Sequence, residues 1–170
     1  MVKMIKEAEC IVATPCLKTH QFGGIFTMAL KLAVGLVPKA GTTYMKELHS
    51  SPHMRKMIAE INYGYKTCLF VMDAMQAFVE GGPMTRKKKE TGLFVAGTDP
   101  VAIDAVGVAI LKELGSNPEI MNSAIFEQEQ IARAVVLGLG VASPEAVELV
   151  TGDAQSEENA RKSRGILAQG

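Results

Sequence analysis

Thr67-Cys-Leu-Phe-Val-Met-Asp73 is a short apolar run closed by an acid. Two similar runs exist, Cys10-Ile-Val-Ala-Thr-Pro15 and Gly92-Leu-Phe-Val-Ala-Gly97. Runs of this length, bounded by turn residues, suit buried strands. The segments between them are long enough for helices. Ile25 to Val37 reads as a helix stopped by Pro38, and Pro52 opens a second one that runs to about Tyr63. Asp99-Pro100 places an N-cap and a first-turn proline before a third helix, which Gly115 ends near Leu114. Strands alternating with helices predict an α/β fold, a mostly parallel sheet of about four strands with helices on both faces. Ala146 to Thr151 would be the fourth strand. Shorter helices are expected at Pro118 to Ile125 and Glu127 to Leu137, and a charged surface helix near residues 152–170. Lys18 to Gly24, Lys39 to Ser51 and Gly81-Gly-Pro83 read as loops.

The 170 residues fit a single α/β domain over 1–170. Apolar residues make up 48% and charged ones 21%, which is ordinary globular usage and argues against disorder. Eighteen basic and eighteen acidic side chains cancel, so no net field favours nucleic acid or an anionic membrane. The cysteines Cys10, Cys16 and Cys68 form no CxxC pair, so the chain carries no zinc ribbon and no iron–sulfur motif. Residues 1–10 are charged and amphipathic, unlike a signal peptide. The longest apolar stretch, Ile25 to Pro38, is interrupted by Lys31 and falls short of the roughly 20 residues of a spanning helix. A cytoplasmic protein without membrane or nucleic-acid contact is expected.

Ligands of parallel sheets lie beyond the carboxyl ends of the strands. Pro15, Asp73 and Gly97 mark three such ends, so the polar segments after them are expected to converge. Lys31 is the only charge between Ile25 and Pro38, and Asp104 is isolated in Pro-Val-Ala-Ile-Asp-Ala-Val-Gly-Val. A buried charge needs a partner, so Asp104 is expected to approach Lys31 or Lys18. Lys31 could instead snorkel to water. Asp73 could bind a metal, transfer a proton or bond its own backbone. His20 follows Lys18 and Thr19, where an imidazole can act as base, metal ligand or anion contact. Asp99 is more simply explained as a helix cap than as a ligand. His49 and His53 are four apart, but Pro52 between them disfavours a shared helix face. Arg86-Lys-Lys-Lys89 reads as a solvated turn. Gly23-Gly24 could present amides to an anion, although neither GxGxxG nor a P-loop is present.

Four segments resemble one family, domain-of-unknown-function family 362. They are Pro15-Cys-Leu-Lys-Thr-His20, Ala29-Leu-Lys-Leu-Ala-Val-Gly-Leu-Val-Pro38, Val71-Met-Asp73 with Gly82-Pro83, and Asp99-Pro-Val-Ala-Ile-Asp104. The resemblance implies no defined activity. Some members carry a ferredoxin-like iron–sulfur segment, which implies a redox setting that this chain's cysteines do not supply. Leu32 stands where the family usually has Asn, and Cys16 where it often has Lys. Only 14 residues precede Pro15, so the chain resembles the C-terminal half of a member. A sheet edge left open would favour self-association or a partner that covers the missing half.

Three functional classes follow. In the first, Lys18, His20 and Lys31 bind a phosphate or carboxylate substrate while Asp73 and Asp104 manage protons or a divalent metal. In the second, the chain is a non-catalytic accessory module of an iron–sulfur electron-transfer protein. In the third, the isolated charges are structural ion pairs that fix helix packing.

Overall fold

The computed structural model describes residues 3–21, 23–37, 43–82 and 87–169. The apolar run at residue 67 becomes the long central strand β4 (Leu69–Phe78), which pairs antiparallel with β5 (Lys88–Gly97). On the other side of β4 run β1 (Val12–Ala13) and β2 (Cys16–His20), both parallel to it. Pro15 separates those two because it has no N–H for the ladder. Its carbonyl still accepts from Asp73 N–H at 2.8 Å. Finally β3 (Ile25–Thr27) pairs antiparallel with β2. The expected α/β architecture is therefore present, with a fifth strand. Its parallel pairings are those of β1 and β2 with β4.

The helices are α1 (Lys3–Glu7), α2 (Ala29–Leu32), α3 (Tyr44–Ser50), α4 (Met54–Ile61), α5 (Pro100–Leu114), α6 (Pro118–Met121), α7 (Glu129–Val136) and α8 (Ala154–Leu167). α5 starts as its sequence predicts. The Asp99 carboxylate accepts from Val101 and Ala102 N–H at 2.8 and 2.9 Å, and Gly115 ends the helix at φ 73°. α5 buries Val101 and every residue from Ile103 to Leu111, and this part runs through the core. A helix apolar all round has no solvent face to keep polar. Phe70, Met72 and Ala74 of β4, with Val95 and Gly97 opposite them, face this helix. At Gly107 the approach is close: a Cβ there would run into the Met28 sulfur, so a larger residue would have to displace that side chain.

Val12, Leu69, Asp73, Met75 and Phe94, the last 64% exposed, lie on the other face of the sheet. Helical cover, expected on both faces, is thus found on one among the described residues. α4 and α7 pack together and are tied by Arg55–Glu129 and Arg133–Glu60 contacts of 2.6 Å. α8 is the expected charged helix near the end of the chain. It turns Ala160, Ser163 and Leu167 inward and pairs Lys162 with Glu113 of α5 at 3.1 Å.

Other expectations are corrected. Lys18 to His20 belong to β2, not to a loop. Residues 25–37 do not form one helix. They form β3, the single turn α2 and a 3-10 turn, Ala33–Leu36. The stop expected at Pro38 and the loop over 39–42 lie outside the described residues, and α3 replaces the rest of that loop. Ala146 to Thr151 is not a strand: the Leu149 carbonyl accepts from Arg164 of α8 instead of a neighbouring strand. Pro83 and Arg86 lie outside the described residues, whereas Lys88 and Lys89 begin β5. Among the described residues no helix is long and apolar enough to cross a membrane.

Candidate functional site

The polar stretch at Lys18 alternates as a strand does. Leu17 and Thr19 point into the core and are fully buried, while Lys18 and His20 point to the opposite side and are half-buried. Thr19 satisfies its hydroxyl by donating to Gly81 O at 3.0 Å. Antiparallel pairing sets Thr27 opposite Lys18 and Ile25 opposite His20. Residues directly opposite share a face, so Lys18, His20 and Thr27 lie together. The Thr27 hydroxyl oxygen is buried without a hydrogen-bond partner among the described residues.

The turn between β2 and β3 is tight. Phe26 N–H donates to Gly24 O at 2.6 Å, and Ile25 between them has φ 59°. This is a γ-turn with a β-branched residue in the left-handed region, an arrangement that costs backbone energy. It places Gly24 beneath two basic groups. A Cβ on Gly24 would stand 3.0 Å from His20 Nδ1 and 3.3 Å from Lys31 Nζ.

Lys31 reaches this point from α2, whose four residues are too few to hold themselves. Two buried polar side chains clamp the turn. The Asp104 carboxylate accepts from Ala29 N–H at 2.7 Å and Leu30 N–H at 3.4 Å. The Asn62 amide donates to Leu30 O at 2.8 Å and to Ile58 O at 3.0 Å. Gln130 Nε2 donates to the other Asp104 oxygen at 3.2 Å. Orphan N–H groups at a helix start attract a carboxylate, here one supplied from α5.

The electrostatics at the cluster are basic. Burial lowers the His20 pKa to about 4, with further lowering by Lys31, His49 and Lys18. Burial, and then Lys18, lowers the Lys31 pKa to about 8. Neither Lys18 nor Lys31 forms an ion pair among the described residues. Asp104 is fully buried, and burial raises its pKa to about 7 against the lowering effect of its hydrogen bonds.

The structure therefore brings Lys18, His20 and Lys31 together and leaves the two acids apart from them. The expected approach of Asp104 to Lys31 or Lys18 is corrected. Its partners are the backbone amides of α2 and the Gln130 side chain. Asp73 does not end its strand. It lies within β4, opposite Cys16 and Phe94, and is exposed. A bulge follows Ala74, and the Asp73 carboxylate takes the Met75 N–H at 2.9 Å. Gly97 pairs with Phe70 at the start of β4, so the three presumed strand ends do not meet at one edge. Asp99 caps α5 and also takes the Val141 N–H at 2.7 Å. His49 bonds Met45 O along α3, and His53 precedes α4. Among the described residues, no three His, Cys, Asp or Glu side chains gather as a metal site would require.

Sequence reasoning missed Thr27, Asn62 and Gln130. The signal for Gln130 was a polar residue beside Ile131 and Ala134 on the buried side of α7. Asn62 and Thr27 carry no comparable signal, because each depends on a partner element far along the chain.

No curated protein and no solved structure matches the chain. A family model, described as a domain of unknown function (DUF362), matches residues 1–109. The match takes in β2, β3, α2 and most of α5, hence the basic cluster and Asp104. The chain belongs to the DUF362 family.

Proposed function

We propose that Lys18, His20 and Lys31 form an anion-binding site that takes the carboxylate or phosphate group of a small molecule. The convergence of His20 and Lys31 above Gly24, with no ion pair to either lysine among the described residues, carries this reading. Partly buried cations that depress one another's protonation store an unfavourable energy that an anion relieves. The strained Ile25 turn beside them supports it too, since such strain tends to persist at functional sites. The buried Thr27 hydroxyl adds a neutral donor on the same face. At neutral pH His20 is uncharged and Lys31 is mostly charged, so beside the two lysines the site offers one group able to accept a proton. That is the state a general base requires. In this reading Asp104 and Asn62 position Lys31 and touch no ligand.

Gly24→Ala provides the test. Gly24 does not have a positive φ, so alanine suits the backbone and only the notch is filled. Calorimetric titration with sulfate, phosphate and a simple carboxylate should show saturable binding to the native chain. The alanine variant should bind at least about tenfold more weakly, as a methyl group would intrude on both contacts. Equal affinity in the two proteins, or no saturable binding of any of the three anions, would refute the site.

A further inference from the structure

Cys10 follows α1, and Cys68 directly precedes β4. The parallel pairing of β1 and β4 sets Val12 opposite Leu69, and the Cys68 N–H donates to Ile11 O at 2.8 Å, so Cys10 sits one residue before the position level with Cys68. Both residues are exposed, and each thiol shifts the other's ionisation, upward for Cys10 and downward for Cys68. Cys16 lies on β2, opposite Asp73, outside this pair.

We infer that Cys10 and Cys68 are a thiol–disulfide exchange pair, open to small disulfides such as oxidised glutathione. Neighbouring parallel strands run about 4.8 Å apart, within the Cα separations that a disulfide bridges. Their roles differ. The Cys10 S–H and the Ile11 backbone favour the Cys68 thiolate, while Cys10 is held protonated. Cys68 therefore attacks first, since the thiolate is the nucleophile. Its sulfur bonds to one sulfur of the small disulfide, whose S–S bond breaks, and one small thiol leaves. Cys10, losing its proton, then attacks the Cys68 sulfur of the mixed disulfide and expels the second thiol. The two protein sulfurs are oxidised, the small disulfide is reduced to two thiols, and the two protein protons end on those thiols. The product covalently ties the N-terminal segment to the central strand. This pair is independent of the basic cluster.

The full chain treated with oxidised glutathione should lose two of its three thiols and two hydrogens in mass. Peptide mapping should show Cys10 joined to Cys68, with Cys16 still free. In Cys10→Ser, the reaction should stop with one glutathione on Cys68. Iodoacetamide should label Cys68 about tenfold faster than Cys16 in the native chain. Mixed disulfides spread over all three cysteines with no internal bond, or equal labelling of Cys68 and Cys16, would overturn the inference. These substitutions replace exposed side chains, so the variants should fold.

Discussion

Lys31→Gln is expected to lower sulfate affinity by about 100-fold, because truncating one partner of a partly buried charge contact costs on the order of 2–5 kcal/mol. The same substitution is expected to stabilise the free fold. Burial disfavours the Lys31 ammonium, which holds its pKa near 8, so the folded state bears a cost at neutral pH that glutamine does not. With a discount for its partial exposure, that cost is about 1–2 kcal/mol. Gain of stability together with loss of binding is the pattern of a residue kept for function. The pH dependence follows the same charge. Sulfate remains dianionic across the working range, so any change reports on the protein. Affinity in the native chain should fall as pH rises through about 8, where Lys31 loses its proton, and the Lys31→Gln variant should lack that fall. Calorimetry at several pH values and thermal melts check both effects. Unchanged affinity in the variant would remove Lys31 from the site.

The second large effect is at Asp104. Asp104→Ala leaves Ala29 N–H, Leu30 N–H and Gln130 Nε2 without their acceptor, inside the core. The expected loss is about 3–5 kcal/mol, since each buried unsatisfied donor costs roughly 1–3 kcal/mol. Asp104→Asn should cost about 1 kcal/mol, as its carbonyl can still accept from α2. The Gln130 Oε1, buried without a partner among the described residues, can accept from the new amide once the Gln130 amide turns over. The pH profiles of the two proteins should differ. Asp104 has a folded pKa near 7, raised from 3.8, so its contribution is present below about 4 and lost as pH rises towards 7. His20 has a folded pKa near 4, lowered from 6.5, so its contribution is present above 6.5 and lost as pH falls towards 4. The two slopes oppose each other over that window. In Asp104→Asn only the His20 slope remains, and stability should rise with pH from about 4 to 6.5, more steeply than in the native chain. Chemical denaturation at stepped pH measures this. Identical profiles would show that Asp104 does not titrate there.

How much of this was legible in the sequence varies by element. The start and end of α5 were, because Asp99, Pro100 and Gly115 act through local backbone chemistry. The first half of β4, Leu69 to Asp73, was legible as an apolar run. β2 was not, since Lys18-Thr-His20 looks like a polar loop until its alternation is seen against β3 and β4. The apolar stretch after Gly24 has helical length, yet Ile25–Thr27 is taken up by pairing with β2. Of the five candidate site residues, Lys18, His20 and Lys31 do converge. Asp104 was correctly singled out as a buried charge needing partners. Those partners are backbone amides about 75 residues away, which no pattern of side chains encodes. Asp73 was placed at a strand end because β4 continues through a bulge that the sequence does not announce.

The most direct test of the anion site is the pKa of His20, followed by its imidazole NMR signals with and without saturating sulfate. In the free protein it should lie near 4, held down by burial and by Lys31. An anion bound between His20 and Lys31 stabilises both charged forms, so the His20 pKa should rise by at least about one unit on saturation. It should also rise in sulfate-free Lys31→Gln, where the neighbouring charge is gone. A His20 pKa that ignores both sulfate and the loss of Lys31 would contradict the account.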